Sequence, residues 1–258
     1  MEKNRIEIET DGFLCTQKED VCFVNLNQNA IEILTRNDVR DQFMSTLEKI
    51  DNSENVRGLI LMNSPTYEGD IELRKLIAYF FEVFKSEIDN RTVHRLKNST
   101  KQLVDLFINY TKPVIVGLSG DIGQILFGFS LACDFRFATS NTIFHLPSVK
   151  LGLPTTGVLA YYLVQYIGRQ RSTELLLTTT SLSAIEAKEL RLLNDVTTEE
   201  ELINKCLEKL NEIKLYPSYG ISAIKRVFQP NVSEVTRIID KAFDEFILNL
   251  FMMKNKEE

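Results

Sequence analysis

Two short, continuous apolar runs constrain the fold of this 258-residue chain more than any other feature of its sequence. They are VRGLILMNS at 56–64 and KPVIVGLSG at 112–120. A short run without polar alternation is typical of a strand that is buried on both faces of a parallel sheet. Apolar residues at helical spacing precede and separate the two runs, at 38–51, 71–88 and 94–110. Strands that alternate with helices predict an α/β core built from β-α-β units.

The remaining pattern predicts a sheet-containing core followed by a helical module. Further elements are expected as two strands about a polar turn at 13–26, an apolar helix at 123–133 and a strand at 134–139. After Pro154 the pattern is almost wholly helical, and Ser183 with Glu186 forms a capping box. We therefore predict a core over 1–195 and a C-terminal helical module over 196–258.

Composition excludes several classes of function. The formal net charge of −6 provides no basic field that would attract nucleic acid or an anionic membrane surface. Four cysteines and two histidines occur without CxxC spacing, so no metal site is expected and the thiols are expected to be buried and reduced. The sequence has no apolar run long enough for a membrane span, and it starts with polar residues. A cytoplasmic location is the expectation.

Five segments between Lys112 and Asp195 carry a family resemblance. They are KPVIVGLSG, FSLACDFRFAT, FHLPSVKLGLP, YYLVQYIGRQRSTELLLTT and SLSAIEAKELRLLNDV. Each segment alone is weakly specific, but together, in this order and spacing, they resemble the crotonase (enoyl-CoA hydratase/isomerase) superfamily. The resemblance extends more faintly back to about Val21 and forward to about Phe251.

The resemblance implies a fold, a ligand and an assembly. The expected fold is a crotonase-like spiral of β-β-α units with the helical module at its C-terminal end, usually assembled as trimers or hexamers. The expected ligand is an acyl-CoA thioester, or an acyl group on a carrier protein, with coenzyme A as part of the substrate and no separate cofactor. Two backbone N–H groups would form an oxyanion hole that stabilises an enolate.

The same resemblance assigns residues to this hole. The motif that normally reads small-Gly-small-Asp-aliphatic stands here as Tyr67-Glu68-Gly69-Asp70-Ile71, which gives the first donor as the Gly69 N–H. Asp70 and Ile71 would then lie beside the adenine of CoA. The second donor is the N–H of Ile125, at a position where relatives carry glycine.

Both carboxylates that hydratases use are missing at the corresponding positions. By the same count, the first position holds Gly128 and the second holds Ser148. Hydration requires two groups that hold and split water, and neither residue ionises usefully. Decarboxylation, isomerisation or thioester hydrolysis therefore fits better than hydration.

Several titratable residues are candidates to replace the missing pair. Glu68 and Asp121 flank the expected donors in sequence and are acid/base candidates, although loop carboxylates are usually solvated. Tyr67 is expected to serve packing more than proton transfer. On an extended segment, His145 points away from the side that Leu146 and Ser148 face, so a structural role is expected for it.

Two hypotheses from different classes remain open. The chain is either an enzyme that stabilises an enolate of an acyl thioester, or a non-catalytic relative that binds ligand or serves only in assembly. An apolar stripe supports a homo-oligomer, although a core contact would explain it equally well. It comprises Ile238, Ile239, Phe243, Phe246, Ile247, Leu250 and Phe251.

Overall fold

A mixed sheet forms the centre of the molecule. The computed structural model describes residues 5–27, 30–64, 68–83 and 90–254. Within these residues, seven strands form the main sheet: β1 (Glu7–Glu9), β2 (Phe13–Lys18), β3 (Val21–Leu26), β4 (Gly58–Asn63), β5 (Val114–Leu118), β7 (Phe135–Thr139) and β10 (Asp195–Thr197). They lie side by side in that order; β1, β2 and β3 pair antiparallel, and every pair from β3 onward is parallel.

A second, smaller sheet was not predicted. It consists of β6 (Asp121–Gly123), β8 (Ile143–His145) and β9 (Ser181–Ser183), with β8 in the middle. β6 runs parallel to β8, and β9 pairs with β8 antiparallel. This small sheet matters for function because β6 leads directly into the helix that follows it.

Ten helices surround the two sheets within the described residues. They are α1 (Ala30–Thr35), α2 (Asn37–Asn52), α3 (Glu72–Val83), α4 (Asn90–Asn109), α5 (Gln124–Leu131), α6 (Gly157–Thr178), α7 (Ala184–Glu189), α8 (Leu202–Lys214), α9 (Ser218–Val227) and α10 (Val232–Lys254). The fold is the α/β architecture that the sequence predicts, with a parallel-rich sheet and many helices.

The central strands β3, β4 and β5 of the main sheet are buried on both faces, as continuous apolar strands predict. On one face, Phe23, Ile60 and Ile115 pack against α8, whose Leu202 and Leu210 are buried beside them. The opposite face packs into the larger core, to which the intervening residues of the same strands contribute. The alternation of faces along each strand explains how one apolar run serves two cores.

The C-terminal helices have three different environments. α8 covers one face of the sheet, and α10 packs against α6 and α4. Ile239 and Leu250 of α10 are fully buried, so much of its apolar stripe belongs to the core of this chain. In contrast to α10, α9 leaves large apolar side chains exposed at its surface.

The predicted boundary between the core and the helical module, at 195/196, falls within strand β10 of the main sheet.

Candidate functional site

The candidate site is built around the start of α5, where β6 ends. Gly123 precedes the helix in extended conformation and provides no side-chain cap. The first N–H groups of a helix have no acceptor within the helix and need one from elsewhere. The N–H of Ile125 finds it in Glu72, whose carboxylate Oε2 accepts at 2.9 Å.

Glu72 reaches this position from the first turn of α3 and is completely buried. Gly123 makes the contact possible, because a Cβ at that position would collide with the carboxylate of Glu72. The helix N-terminus favours the negative charge of such an acceptor. Glu72 therefore occupies the acceptor position of the N–H that the sequence assigns to the oxyanion hole.

The loop before α3 brings the other assigned donor to the same place. The N–H of Gly69 donates to the backbone carbonyl of Asp121 at 3.1 Å. A side chain on Gly69 would run into the backbone of Asp121–Gly123, so this close approach requires glycine. The N–H groups of Gly69 and Ile125, hereafter the donor pair, thus both donate to acceptors within the protein. Asp70 is exposed beside this loop and Ile71 is half-buried.

The two acid/base candidates from the sequence lie at the surface with partners of their own. The exposed Glu68 carboxylate pairs with the ammonium of Lys75 at 2.7 Å. The Asp121 side chain points to solvent and contacts Nε2 of His145 at 2.7 Å. His145 is half-buried, whereas Leu146 and Ser148 are buried, in accordance with the expected alternation. Tyr67 lies outside the described residues.

The resemblance assigns the missing carboxylates to the positions of Gly128 and Ser148. Gly128 lies in a close contact between helices, and Ser148 makes a buried hydrogen bond. Gly128 lies where α5 meets α6, and a Cβ there would come within 2.9 Å of the backbone nitrogen of Leu159. Ser148 is buried and donates to Oε1 of Gln124 at 2.7 Å. Neither environment contains space for a longer, ionised side chain without rearrangement.

The buried side chain of Gln124 makes polar contacts with Ser148 and Thr155. The hydroxyl of Thr155 reaches the same Oε1 of Gln124 at 3.5 Å. Within the described part of the chain, Nε2 of Gln124 and the hydroxyl of Thr156 are buried without a hydrogen-bond partner. Buried polar groups without a partner are costly, so these two groups are exceptions among the buried polar atoms near α5.

Sequence reasoning missed both Glu72 and the polar role of Gln124. Glu72 was an ordinary first-turn glutamate of a predicted helix, and its contact with Ile125 spans 53 residues. The sequence itself indicates no role for Gln124. A signal was present for Glu72, because it follows the donor motif by one position and interrupts the apolar face of α3.

Other classes of site have little support in the described ranges. In them, no group of three or more histidine, cysteine and acidic side chains is arranged to hold a metal ion. Among the helices described, none combines the length and apolar character that crossing a bilayer requires. All four cysteines are buried and free, and burial raises the pKa of the Cys133 thiol to about 12.

Comparison with known sequences assigns the region from the end of α3 onward to one family. The sequence profile described as enoyl-CoA hydratase/isomerase matches residues 80–256. The 4-chlorobenzoyl coenzyme A dehalogenase-1 of an Arthrobacter species is 26% identical over 132 residues, which are 51% of this chain and 48% of that protein. For this relative, the match thus spans about half of its length. The short-chain-enoyl-CoA hydratase of Clostridium acetobutylicum is 24% identical over 95% of this chain and 90% of its own length.

Solved structures show the same fold over nearly the whole chain. A crystal structure of an enoyl-CoA hydratase from Bacillus halodurans superposes with a TM-score of 0.76 at 17% identity, covering 93% of this chain and 95% of that one. One from Geobacillus kaustophilus gives a TM-score of 0.69 at 20% identity, with 95% and 91% covered. At such identities the likeness establishes the architecture alone.

Proposed function

The chain belongs to the enoyl-CoA hydratase/isomerase family, and from this premise we propose that it binds an acyl thioester of coenzyme A, or of an acyl-carrier protein, at the donor pair. The Gly69 and Ile125 N–H groups would hold the thioester oxygen and stabilise an enolate. Asp70 and Ile71 would lie beside the adenine of CoA. A cytoplasmic location is part of the same proposal.

One observation carries this proposal: the Ile125 N–H already holds a carboxylate oxygen at 2.9 Å. A carboxylate oxygen resembles an enolate oxygen in charge and in hydrogen-bonding capacity. A backbone N–H at the start of a helix, directed at such an oxygen, is a preorganised donor for developing negative charge. The named relatives from Arthrobacter and Clostridium act on CoA thioesters by their descriptions, which supports the same class of ligand.

The proposed chemistry is decarboxylation, isomerisation or hydrolysis, and not hydration. Gly128 and Ser148 provide no proton-transfer pair, and their surroundings support this assignment. Gly128 is fixed by its contact with Leu159, and the hydroxyl of Ser148 is engaged by Gln124. Each missing acid or base removes an effect of about a hundredfold to ten-thousandfold, although the two effects do not simply add.

Calorimetric titration tests the proposal. Butyryl-CoA should bind at micromolar to millimolar concentration, and crotonyl-CoA should bind without being hydrated. Gly69→Val should weaken binding, because its side chain displaces the loop from β6; Gly220→Val is the matched control, at a position with open space around it. Absence of binding at millimolar concentration to the parent would refute the proposal. Hydration near the enzymatic median of about ten per second would refute its chemistry.

A non-catalytic assembly role is the second candidate, and α9 is the observation that favours it. Tyr219, Val227 and Phe228 are about 80% exposed, although they are large and apolar. Phe228 lines an open groove of about 700 Å³ between α9 and the core, to which Tyr162 and Tyr166 also contribute. Extended apolar surface of this kind marks interaction sites. We propose that α9 contacts another copy of this chain in a trimer or hexamer.

Sedimentation velocity tests the role of α9. Phe228→Asp should shift the parent's oligomer towards a smaller species, because a charge there would be desolvated in the interface. Ile185→Asp changes an equally apolar, exposed residue on α7 and should leave the distribution unchanged. A parent that sediments as a stable monomer at micromolar concentration would contradict the interface.

A further inference from the structure

We propose that Glu72 is the proton-transferring carboxylate of this site. Its carboxylate accepts the Ile125 N–H at 2.9 Å in this structure, and it would become the base at the acyl Cα once a thioester oxygen accepts that N–H instead. This inference depends on the proposed thioester binding and adds a catalytic group to it. Neither the sequence motif nor the family positions Gly128 and Ser148 indicates this residue.

The position of Glu72 is the first support. Its carboxylate is completely buried and contacts the N–H that would hold the thioester oxygen. Gly123 leaves the space that the carboxylate fills, since any Cβ there would overlap with it. A buried charge is costly unless hydrogen bonds compensate it. The contact with the start of α5 is one such compensation, and it ties the carboxylate to the reaction site.

The other acidic candidates are less suitable by location. Glu68 is exposed and paired with Lys75, and the side chain of Asp121 is exposed beside His145. Among the described residues, the Ile125 N–H donates to the carboxylate of Glu72, whereas the Gly69 N–H donates to a backbone carbonyl. A general base must lie within hydrogen-bond reach of the proton it removes. Glu72 satisfies this requirement after a displacement of about one hydrogen-bond length, roughly 3 Å.

The proposed step balances without a further reactant. A thioester oxygen accepts the Ile125 N–H and displaces the carboxylate, which then lies beside the acyl group. Glu72 takes a proton from Cα, the C–H electron pair forms the Cα–C double bond, and the carbonyl π pair moves onto oxygen. The Ile125 N–H stabilises the resulting enolate, joined by the Gly69 N–H once that group leaves the carbonyl of Asp121. Return of the proton from the Glu72 carboxylic acid restores the thioester.

A purely structural role makes a different prediction. Glu72 would then be a side-chain cap for α5, comparable to the acidic residues that satisfy helix N-termini elsewhere. Replacement of the carboxylate would lower stability but leave any exchange of the Cα protons unaffected. The experiment must therefore measure exchange and binding separately.

Deuterium uptake at Cα of butyryl-CoA in D₂O, followed by mass spectrometry, separates these roles. The parent should exchange; Glu72→Gln should exchange at least about a hundredfold more slowly. Its calorimetric affinity should be equal or tighter, because a neutral amide competes less well for the N–H. Glu82→Gln, an exposed glutamate on the same helix, should behave like the parent. Glu72→Asp, which keeps the carboxylate on a shorter side chain, should exchange at an intermediate rate and serves if Glu72→Gln does not fold.

The alternative outcomes distinguish failure of the Glu72 assignment from failure of thioester binding. Unchanged exchange in folded Glu72→Gln or Glu72→Asp overturns the assignment of Glu72. Binding of butyryl-CoA to the parent without any exchange also overturns it, while the proposed thioester binding survives. If neither the parent nor Glu72→Gln binds butyryl-CoA, thioester binding itself fails, and the catalytic role of Glu72 fails with it.

Discussion

Gly128 shows how a single residue ties the chemistry of the site to packing. It lies in the middle of α5, where the backbone of Leu159 in α6 comes close enough to exclude a Cβ. Glycine normally costs helix stability, by about 1 kcal/mol relative to alanine. Its presence here permits the two helices to approach, and a catalytic carboxylate at this position would separate them.

Alanine substitution at two helical glycines tests this reading. Gly128→Ala should lower the free energy of unfolding by about 1–3 kcal/mol, because the added methyl overpacks the α5–α6 contact. Gly220→Ala, in α9 with nothing within 4 Å of its Cβ, should be neutral or stabilise by up to about 1 kcal/mol. Denaturant unfolding measures both. Equal effects at the two positions would show that α6 does not constrain Gly128.

Some features of the site can be inferred from the sequence, whereas others depend on contacts that only the folded structure shows. The assignment of Gly69 and Ile125 as donors is what the family resemblance implies. The contact between Glu72 and Ile125 cannot be inferred in this way, because it depends on how α3 and β6 meet in space. The Asp121–His145 pair was missed for a similar reason: it forms across β6 and β8, a sheet that the apolar pattern does not predict.

Among the elements, α7 has the best-defined beginning. The Ser183 hydroxyl accepts the Glu186 N–H at 3.3 Å, and the Glu186 carboxylate accepts the Ser183 N–H at 2.8 Å. This confirms the capping box that the sequence predicts. The hydrogen bond from the Ser183 side chain, followed by that from its backbone, lowers the pKa of Glu186 below its ordinary value of 4.5.

Ser183→Ala should lower the free energy of unfolding by about 1 kcal/mol at neutral pH. A carboxyl group with a lowered pKa in the folded state contributes stability above its unfolded pKa and loses it as the pH falls through the folded pKa. The difference from the parent should therefore shrink below pH 4.5. Ser45→Ala is the control. Ser45 lies on the exposed face in the middle of α2, so this change should have little effect. A pH-independent difference would contradict the contribution of Glu186.

Element prediction succeeded where the apolar pattern was long and failed where it was short. The buried strands β4 and β5 and the helices α2 and α4 lie where their patterns place them. The strands β6, β8 and β9 have three residues each, too few to establish a period of two. β10 was hidden for the same reason, within a segment that reads as helical.

At the scale of the whole molecule, the C-terminal helices complete the core and provide a free surface. α8 closes one face of the sheet, and α10 joins the core between α4 and α6. The apolar stripe on α10 did not reveal which of its possible partners it meets, since a core contact and an interface require the same residues. The structure resolves this for Ile239, Phe246 and Leu250 of the stripe, which are buried within the chain.

The central claim joins these scales: a chain of this family uses the start of α5 to bind an acyl thioester oxygen. Protein labelled with ¹⁵N-isoleucine, titrated with butyryl-CoA and followed by NMR, reports on the Ile125 N–H directly. The account predicts that the Ile125 amide signal shifts as Glu72 is displaced, while that of Ile185 on the exposed surface of α7 stays in place. An Ile125 signal that does not move at millimolar butyryl-CoA would contradict the account.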